Sequence, residues 1–268
     1  MKLNRKNLST FFYKVRKRLY SYYRRFYYLL HGLYFDYVLK TYKTHGLSFE
    51  VPKSLTTRLS RGYFAEGNIE VDEQYLVRKH VAPESTVLEL GANIGIVSSV
   101  VNKLLAHPEN QVVVEANPTI IPYLQANKNN NHCAFHIENC IISNQKQTSF
   151  FFGNSISSGG VIRKNDSGLQ QSITVTGVTL GDLQEKYNLT FDTLVMDIEG
   201  AEYNLLKEIE PYLTQFKLII FEQHPTILDR DQLQEIDDIL KRNDFSYSDE
   251  SGDTVVWQKA TELKSATV

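Results

Sequence analysis

The sequence predicts an α/β protein built on a mostly parallel, Rossmann-like sheet, with a helical, basic N-terminal extension. Three observations predict it. The apolar run Val87-Leu88-Glu89-Leu90 enters the turn Gly91-Ala92-Asn93-Ile94-Gly95 and passes directly into a helix at Ile96. Gly91 lets the chain reverse without a Cβ clash and leaves bare backbone for a ligand, while the helix that follows aims unpaired N–H groups at it. Further short apolar runs, at 112–114, 193–196 and 218–221, alternate with helical stretches, the pattern of strands buried on both faces of a parallel sheet. Each of these runs leads into acids: Glu115, then Asp197 with Glu199, then Glu222 with His224. Ligands of open α/β sheets bind at such carboxyl ends, most often where strand order reverses.

With 268 residues, 42% of them hydrophobic and 22% charged, the chain is long enough for one catalytic domain and an extension, and its composition is neither disordered nor membrane-embedded. Cys133 and Cys140 stand outside any metal-ligand spacing and are too few for a disulfide framework. Inert core thiols in a reducing, cytoplasmic compartment are expected. The net charge of −2 hides an asymmetry: residues 1–45 hold eleven Lys/Arg against one acid, Asp36, which leaves eighteen bases and thirty acids for the remainder. An acidic body carries a basic arm.

Charges break every apolar run of the arm well before the roughly 20 residues that a bilayer span needs. Phe11-Phe12-Tyr13 gives way at Lys14, too soon for a signal-peptide core. With no proline and one glycine, Gly32, between Leu8 and Leu39, one or two helices are expected, their apolar residues not forming one clean stripe. Three roles stay open for residues 1–45: docking at the inner membrane surface through Tyr/Phe and Arg/Lys, packing against the catalytic domain or a second subunit, or binding another polyanion, with nucleic acid disfavoured. Residues 46–85 read as a lead-in, extended at 47–52 and 55–63 and helical from 69 to 81, ahead of Pro83. Residues 86–260 form the catalytic domain, and 261–268 a frayed tail.

Within that domain, strands are expected at 86–90, 112–115 and 134–139, and helices at 94–105 and 119–130, the second with Pro122 in its first turn, where a missing N–H does no harm. Segments 147–152 and 172–178 alternate as antiparallel strands around a small-residue loop at 153–160, either a substrate lid or an ordinary hairpin. A helix at 179–187, a strand at 192–196, a helix closing near Tyr212, a strand at 218–221, a helix at 232–242 and a hairpin of 245–247 with 255–257 around Gly252 complete the chain.

Glu115, twenty-four residues after Gly91, is placed to accept both ribose hydroxyls of a nucleotide, partners that its buried carboxylate would otherwise lack. The end of the third strand, at Glu138 and Asn139, would lie beside the base. A dinucleotide fingerprint wants glycine where this chain has Asn93 and Ile96, which points away from NAD. The spacing Glu-x-Gly-x-x-x-Gly is similar instead to the loop of S-adenosylmethionine-dependent methyltransferases, in which an acid at the position of Glu89 steadies the loop and the methionine end.

More closely, the chain resembles the FkbM family of methyltransferases. The matching pieces are Glu89-Leu90-Gly91-Ala92-Asn93-Ile94-Gly95, Glu115-Ala116-Asn117-Pro118, Thr179-Leu180, Met196-Asp197-Ile198-Glu199-Gly200-Ala201-Glu202 and Phe221-Glu222-Gln223-His224, in matching order and separation over roughly residues 60–258. The resemblance implies a seven-stranded methyltransferase fold closed by an antiparallel hairpin. It implies S-adenosylmethionine held around Glu89, Gly91, Ala92, Asn93, Gly95, Glu115, Ala116, Asn139 and Asp197, and methyl transfer most often to a hydroxyl of a glycan, glycolipid or small natural product.

A hydroxyl is a poor nucleophile until a base takes its proton or a metal lowers its pKa. His224 is the expected base near neutral pH. Asp197 would face the sulfonium or the acceptor, with Glu199 and Glu222 orienting the acceptor. Plainer roles stand beside these: Glu202 favoured by a helix dipole, and His224 tying down its loop ahead of Pro225. An Asp/Glu/His set can hold a divalent ion, and no metal site is assigned. The rival reading is a degenerate methyltransferase-fold binding module working through its basic arm, which the retained Gly91, Gly95, Glu115 and Asp197 oppose. Methylation of amino groups usually goes with an Asn/Asp-Pro-Pro-aromatic sequence after the fourth strand, which is absent.

Overall fold

The computed structural model describes residues 5–152, 160–161 and 171–259. The chain opens with a 30-residue helix, α1 (Arg5–Tyr34), that runs on into a π-helical turn at Phe35–Leu39. The arm is therefore one continuous helix, and continuity changes its pattern. Val15, Leu19, Tyr22, Phe26 and Leu30 recur at three- and four-residue spacing, one apolar stripe where the sequence reading expected none, with Lys14, Lys17, Arg18, Arg24 and Arg25 on the other side. Strands β1 (Thr41–Thr44) and β2 (Leu47–Glu50) pair across His45-Gly46, so a hairpin straddles the boundary expected between arm and lead-in.

The extended stretch expected at 55–63 is instead mostly helix, α2 (Arg58–Glu66). Thr57 caps it, its side chain accepting the Ser60 N–H at 3.0 Å, and Gly67 ends it in the left-handed region. The C-terminal part of α1 crosses α2 so closely that a Cβ on Gly32 would lie 2.0 Å from the Arg58 carbonyl oxygen, and one on Gly62 2.2 Å from that of Tyr28. Buried Arg61 grips Asp36, the arm's lone acid, through two hydrogen bonds of 2.7 and 3.1 Å, and holds its carboxyl below the usual range. Helix α3 (Val71–His80) follows.

Strand β3 (Val87–Leu90) is buried at every position, and helix α4 (Ile96–Leu104) returns over it to β4 (Gln111–Val114). Helix α5 (Ile121–Asn130), with Pro122 in its first turn, leads to β5 (His136–Glu138). A second, four-stranded sheet then forms from β6 (Ile141–Ile142), β7 (Gln147–Phe152), β8 (Gly160–Val161) and β9 (Gln171–Val178), in the order β6-β9-β7-β8. The antiparallel pairing of β7 with β9 is as expected, while most of the loop considered as a lid lies outside the described residues.

Thr179 and Asp182 form a reciprocal capping box for α6 (Leu180–Tyr187). The chain continues through β10 (Thr193–Met196), α7 (Glu202–Glu208), β11 (Leu218–Glu222), α8 (Arg230–Arg242) and the hairpin β12 (Phe245–Ser251) with β13 (Thr254–Lys259), longer than expected. The tail from 260 lies outside the described residues.

The main sheet has seven strands in the order β12-β13-β11-β10-β3-β4-β5, parallel from β11 to β5 and closed by the antiparallel β12–β13 hairpin. Counted along the chain, the order is 3-2-1-4-5-7-6 read from β5. The sheet is thus the Rossmann-like, seven-stranded methyltransferase arrangement. Alternate side chains feed two cores: Leu88, Leu90, Leu194 and Met196 pack with α6 and α8 on one face, and Val87, Val195 and Ile220 with α3 and α4 on the other. Among the described residues no helix is long and apolar enough to cross a membrane.

Candidate active site

Strand order reverses between β3 and β10, which lie side by side with Leu90 opposite Met196. Gly91 and Asp197 therefore leave the sheet together, and the Asp197 N–H donates to the Leu90 carbonyl at 3.0 Å. A Cβ on Gly91 would stand 1.8 Å from the Asp197 carbonyl oxygen, and φ is +88° there, so only glycine fits. A cavity of about 600 Å³ opens at this point, within the range of small-molecule sites. Six of the residues expected at the site line it: Gly91, Asn93, Glu115, Ala116, Asp197 and Glu199.

Glu115 does more than wait for a ligand. Its Oε2 accepts the Asn93 N–H at 2.9 Å and its Oε1 the Asn117 N–H at 2.7 Å, so the expectation that it would lack a partner is corrected. The first bond ties the glycine turn to the end of β4 and holds Asn93 at φ +49°, a conformation Asn tolerates better than most residues. Burial pushes the Glu115 carboxyl up to about 7, against the pull of those N–H groups. Asn93 Oδ1 is buried at the cavity wall and has no hydrogen-bond partner.

Other expected residues stand behind the wall. Glu89 is buried, accepting from Ser98 Oγ at 2.6 Å and Gln111 Nε2 at 2.9 Å, so it clamps α4 and β4 beneath the turn, and burial pushes its carboxyl up to about 7. Ala92 is packed against Val113, Leu124 and Phe135, and Gly95 starts α4 in the left-handed region, with Leu124 Cδ1 2.6 Å from where its Cβ would be. Asn139 donates to the Glu115 and Ala116 carbonyls at 2.7 and 3.2 Å, bracing the turn from behind, and Glu138 is engaged by Lys186 and Tyr187. The wall expected from those two residues is built one step later, by Cys140, Ile141 and Ile142 with Thr148 and Phe150 of the second sheet.

The loop after β10 carries the acids. Glu202 is fully buried at the start of α7, and its Oε1 accepts the Ile198 and Gly200 N–H groups, each at 3.2 Å. It is thus a cap for this loop, consistent with the dipole reading, and it also faces His224 Nδ1 at 3.1 Å. His224 Nε2 lies 3.4 Å from Asp197 Oδ1 and 3.6 Å from Glu199 Oε2. Burial alone would lower the imidazole pKa, yet Glu202, Asp197 and Glu199 hold it up to about 9. His224 stands among these three acids and outside the cavity wall.

Asp197 is shifted upward as well, for a different reason. Burial, then Glu222 and Glu199, push its carboxyl up to about 7 in spite of His224. One ligand atom each from Asp197, Glu199 and His224 lie within 4.8 Å of one another, and the same holds for Glu73, Asp197 and Glu222. Glu70 and Glu73, at the start of α3, line a second, much smaller cavity behind Gly91 and were not singled out by the sequence. Their signal was faint: acids in the first turn of a helix are common for reasons of the dipole alone.

Residues 89–247 match the model of the methyltransferase FkbM domain. No curated protein matches the chain. Similar solved structures include a precorrin-6y C5,15-methyltransferase from Geobacter metallireducens, 11% identical over 79% of this chain and 93% of that one, with a TM-score of 0.44. An O-methyltransferase from Bacillus cereus, in complex with SAH, is 13% identical over 87% and 90%, with a TM-score of 0.41. These likenesses are distant and carry no part of the functional assignment.

Glu115→Gln must present an amide N–H₂ to one of two backbone N–H groups that the carboxylate now serves. Calorimetric titration with S-adenosylmethionine is expected to show affinity lowered roughly tenfold or more, the worth of a charge-assisted bond. Unchanged affinity would contradict the place given to Glu115.

Proposed function

Because the chain belongs to the FkbM methyltransferase family and is an S-adenosylmethionine-dependent methyltransferase, we propose that it methylates a hydroxyl oxygen on a sugar, glycolipid or related natural product. The observation that carries this reading is Asp197: a carboxyl in the cavity wall, at the strand switch, pushed up to about 7. An alcohol must lose a proton as its oxygen attacks, and the best base titrates near the working pH. An amine acceptor would ask less of such a group.

The residues present suit the cofactor. Asn93 Oδ1 and Asp197 Oδ1 are buried acceptors without hydrogen-bond partners, and Gly91 offers bare backbone between them. Glu115, Asp197, Glu199 and Glu208 give the cavity a mostly acidic lining, in keeping with a positively charged ligand, and Lys207 there is paired with Glu235 at 3.1 Å. When bound, S-adenosylmethionine supplies an electrophilic methyl group on a cationic sulfur. Glu115 and Asn93 hold the nucleoside end, Asp197 receives the acceptor's proton, and Glu199 orients the acceptor. His224, as an imidazolium fixed by Glu202, keeps Asp197 and Glu199 in place. With the glycine turn, Glu115 and Asp197 gathered on one cavity, catalysis is favoured over a binding module that works through the arm alone. Free Cys133 and Cys140 accord with a reducing, cytoplasmic setting.

Incubation with S-adenosylmethionine carrying a ¹³C-methyl group and extracts of cell glycans and lipids is expected to give NMR signals in the methoxyl region. N-methyl signals without methoxyl ones would overturn the reading. Turnover should rise with pH through about 7 as Asp197 loses its proton, and Asp197→Asn should remove that limb along with roughly a hundredfold or more of the rate. A rise unaltered in the variant would exclude Asp197 as the base.

A further inference from the structure

The small cavity behind Gly91 holds about 10 Å³, the room of a single atom or water, and is lined by Glu70, Glu73, Glu89 and Asp197 among apolar neighbours. Glu73 is 6% exposed and has no hydrogen-bond or ion-pair partner, although a buried carboxyl without a partner is costly. Glu70 sits at φ +51°, in the left-handed region that side chains disfavour. Among the described residues no Lys or Arg pairs with Glu70, Glu73, Glu89 or Asp197, and one oxygen each of Glu73, Asp197 and Glu222 lie within 4.8 Å of one another. Leu90, Gly91 and Asp197 line this cavity and the large one alike, so the two adjoin at the glycine turn.

We propose that Glu70 and Glu73 form a subsite for the α-ammonium group at the methionyl end of the cofactor. The inference rests on the cofactor reading above. An ammonium group brings N–H donors to Glu73, which has none, and to Glu70 beside the one it takes from the Val97 backbone, and it enters from the Gly91 side while Glu115 holds the nucleoside.

The test uses the full chain and two ligands without a sulfonium charge: S-adenosylhomocysteine, which carries the amino-acid end, and 5′-methylthioadenosine, which lacks it. Glu73→Gln is expected to weaken S-adenosylhomocysteine by roughly ten- to a hundredfold, leave 5′-methylthioadenosine unchanged, and keep or raise the melting temperature without ligand. Should that variant fail to fold, Glu70→Gln carries the same expectation for the two ligands. Variants that bind S-adenosylhomocysteine as wild type does, or lose both ligands equally, overturn the subsite. A wild-type chain that binds neither ligand overturns the cofactor reading instead. Mn²⁺ that stabilises the wild type but not Glu73→Gln, with S-adenosylhomocysteine affinity unaltered, overturns the subsite in favour of a metal.

Helix α1 carries a second, independent inference. Every side chain from Tyr13 to Phe26 is exposed, and so are Val15, Leu19, Tyr22, Phe26 and Leu30 of the apolar stripe. Beside it stand Lys14, Lys17, Arg18, Arg24 and Arg25, and no acid lies between Arg5 and Tyr34. We infer that α1 docks on an anionic lipid surface, its stripe at the acyl boundary and its bases among the headgroups. A second copy of α1 would bring like charges together, and a nucleic acid would leave Val15, Leu19 and Leu30 without an apolar partner.

Full-length protein is expected to sediment with phosphatidylcholine vesicles containing phosphatidylglycerol, less so in high salt and not with phosphatidylcholine alone. Replacing those five bases by Gln should weaken vesicle binding by about a hundredfold or more and leave S-adenosylhomocysteine binding unchanged. No sedimentation, or retention of RNA or self-association with vesicles left unbound, would overturn it.

Discussion

The backbone contact between Gly91 and Asp197 is the constraint on which the site depends. Two parallel strands whose ends are in register bring a glycine turn and an acid loop within van der Waals contact, and the missing Cβ of Gly91 permits it. From that contact, Glu115 reaches Asn93 on one side, while Glu202 braces the acid loop on the other. A nucleoside end and a reacting end follow from a single point in the sheet, the place where strand order reverses.

Charge is distributed to the same end. Acids from α3, β3, β10 and β11 converge there, and burial and mutual repulsion raise the carboxyls of Glu70, Asp197 and Glu222. A crowd of carboxyls facing few cations is an unfavourable way to build a core, and it becomes reasonable once a cationic ligand completes it. His224 stands among them, 3.4 Å from Asp197 and 3.1 Å from Glu202. Glu202, Asp197 and Glu199 hold its imidazole up to about 9 against the effect of burial.

The sheet was legible because buried parallel strands leave an unmistakable sequence pattern: short β-branched runs, glycine at the turn, acids at the carboxyl ends. Glu115, Asp197 and the glycine turn could be placed from spacing alone. The helix at 58–66 was not legible because a short mixed run fits either period, and the cap that Thr57 provides shows only in the folded chain. The stripe on α1 became visible only once the arm was one unbroken helix. The charge of His224 was illegible, since it is set by three residues that the sequence separates by more than twenty positions or folds around it. Glu70 and Glu73 were hidden for the same reason: their depth is a property of packing.

The central claim is that the Gly91–Asp197 contact organises the cofactor site, and Gly91→Ala tests it most directly. A Cβ there meets the Asp197 carbonyl oxygen at 1.8 Å, so the acid loop must move while the far strands need not. Calorimetric titration of this variant, with circular dichroism to show the fold retained, is expected to find S-adenosylmethionine affinity lost by roughly a hundredfold or more. A folded Gly91→Ala protein that binds the cofactor as the wild type does would contradict the account.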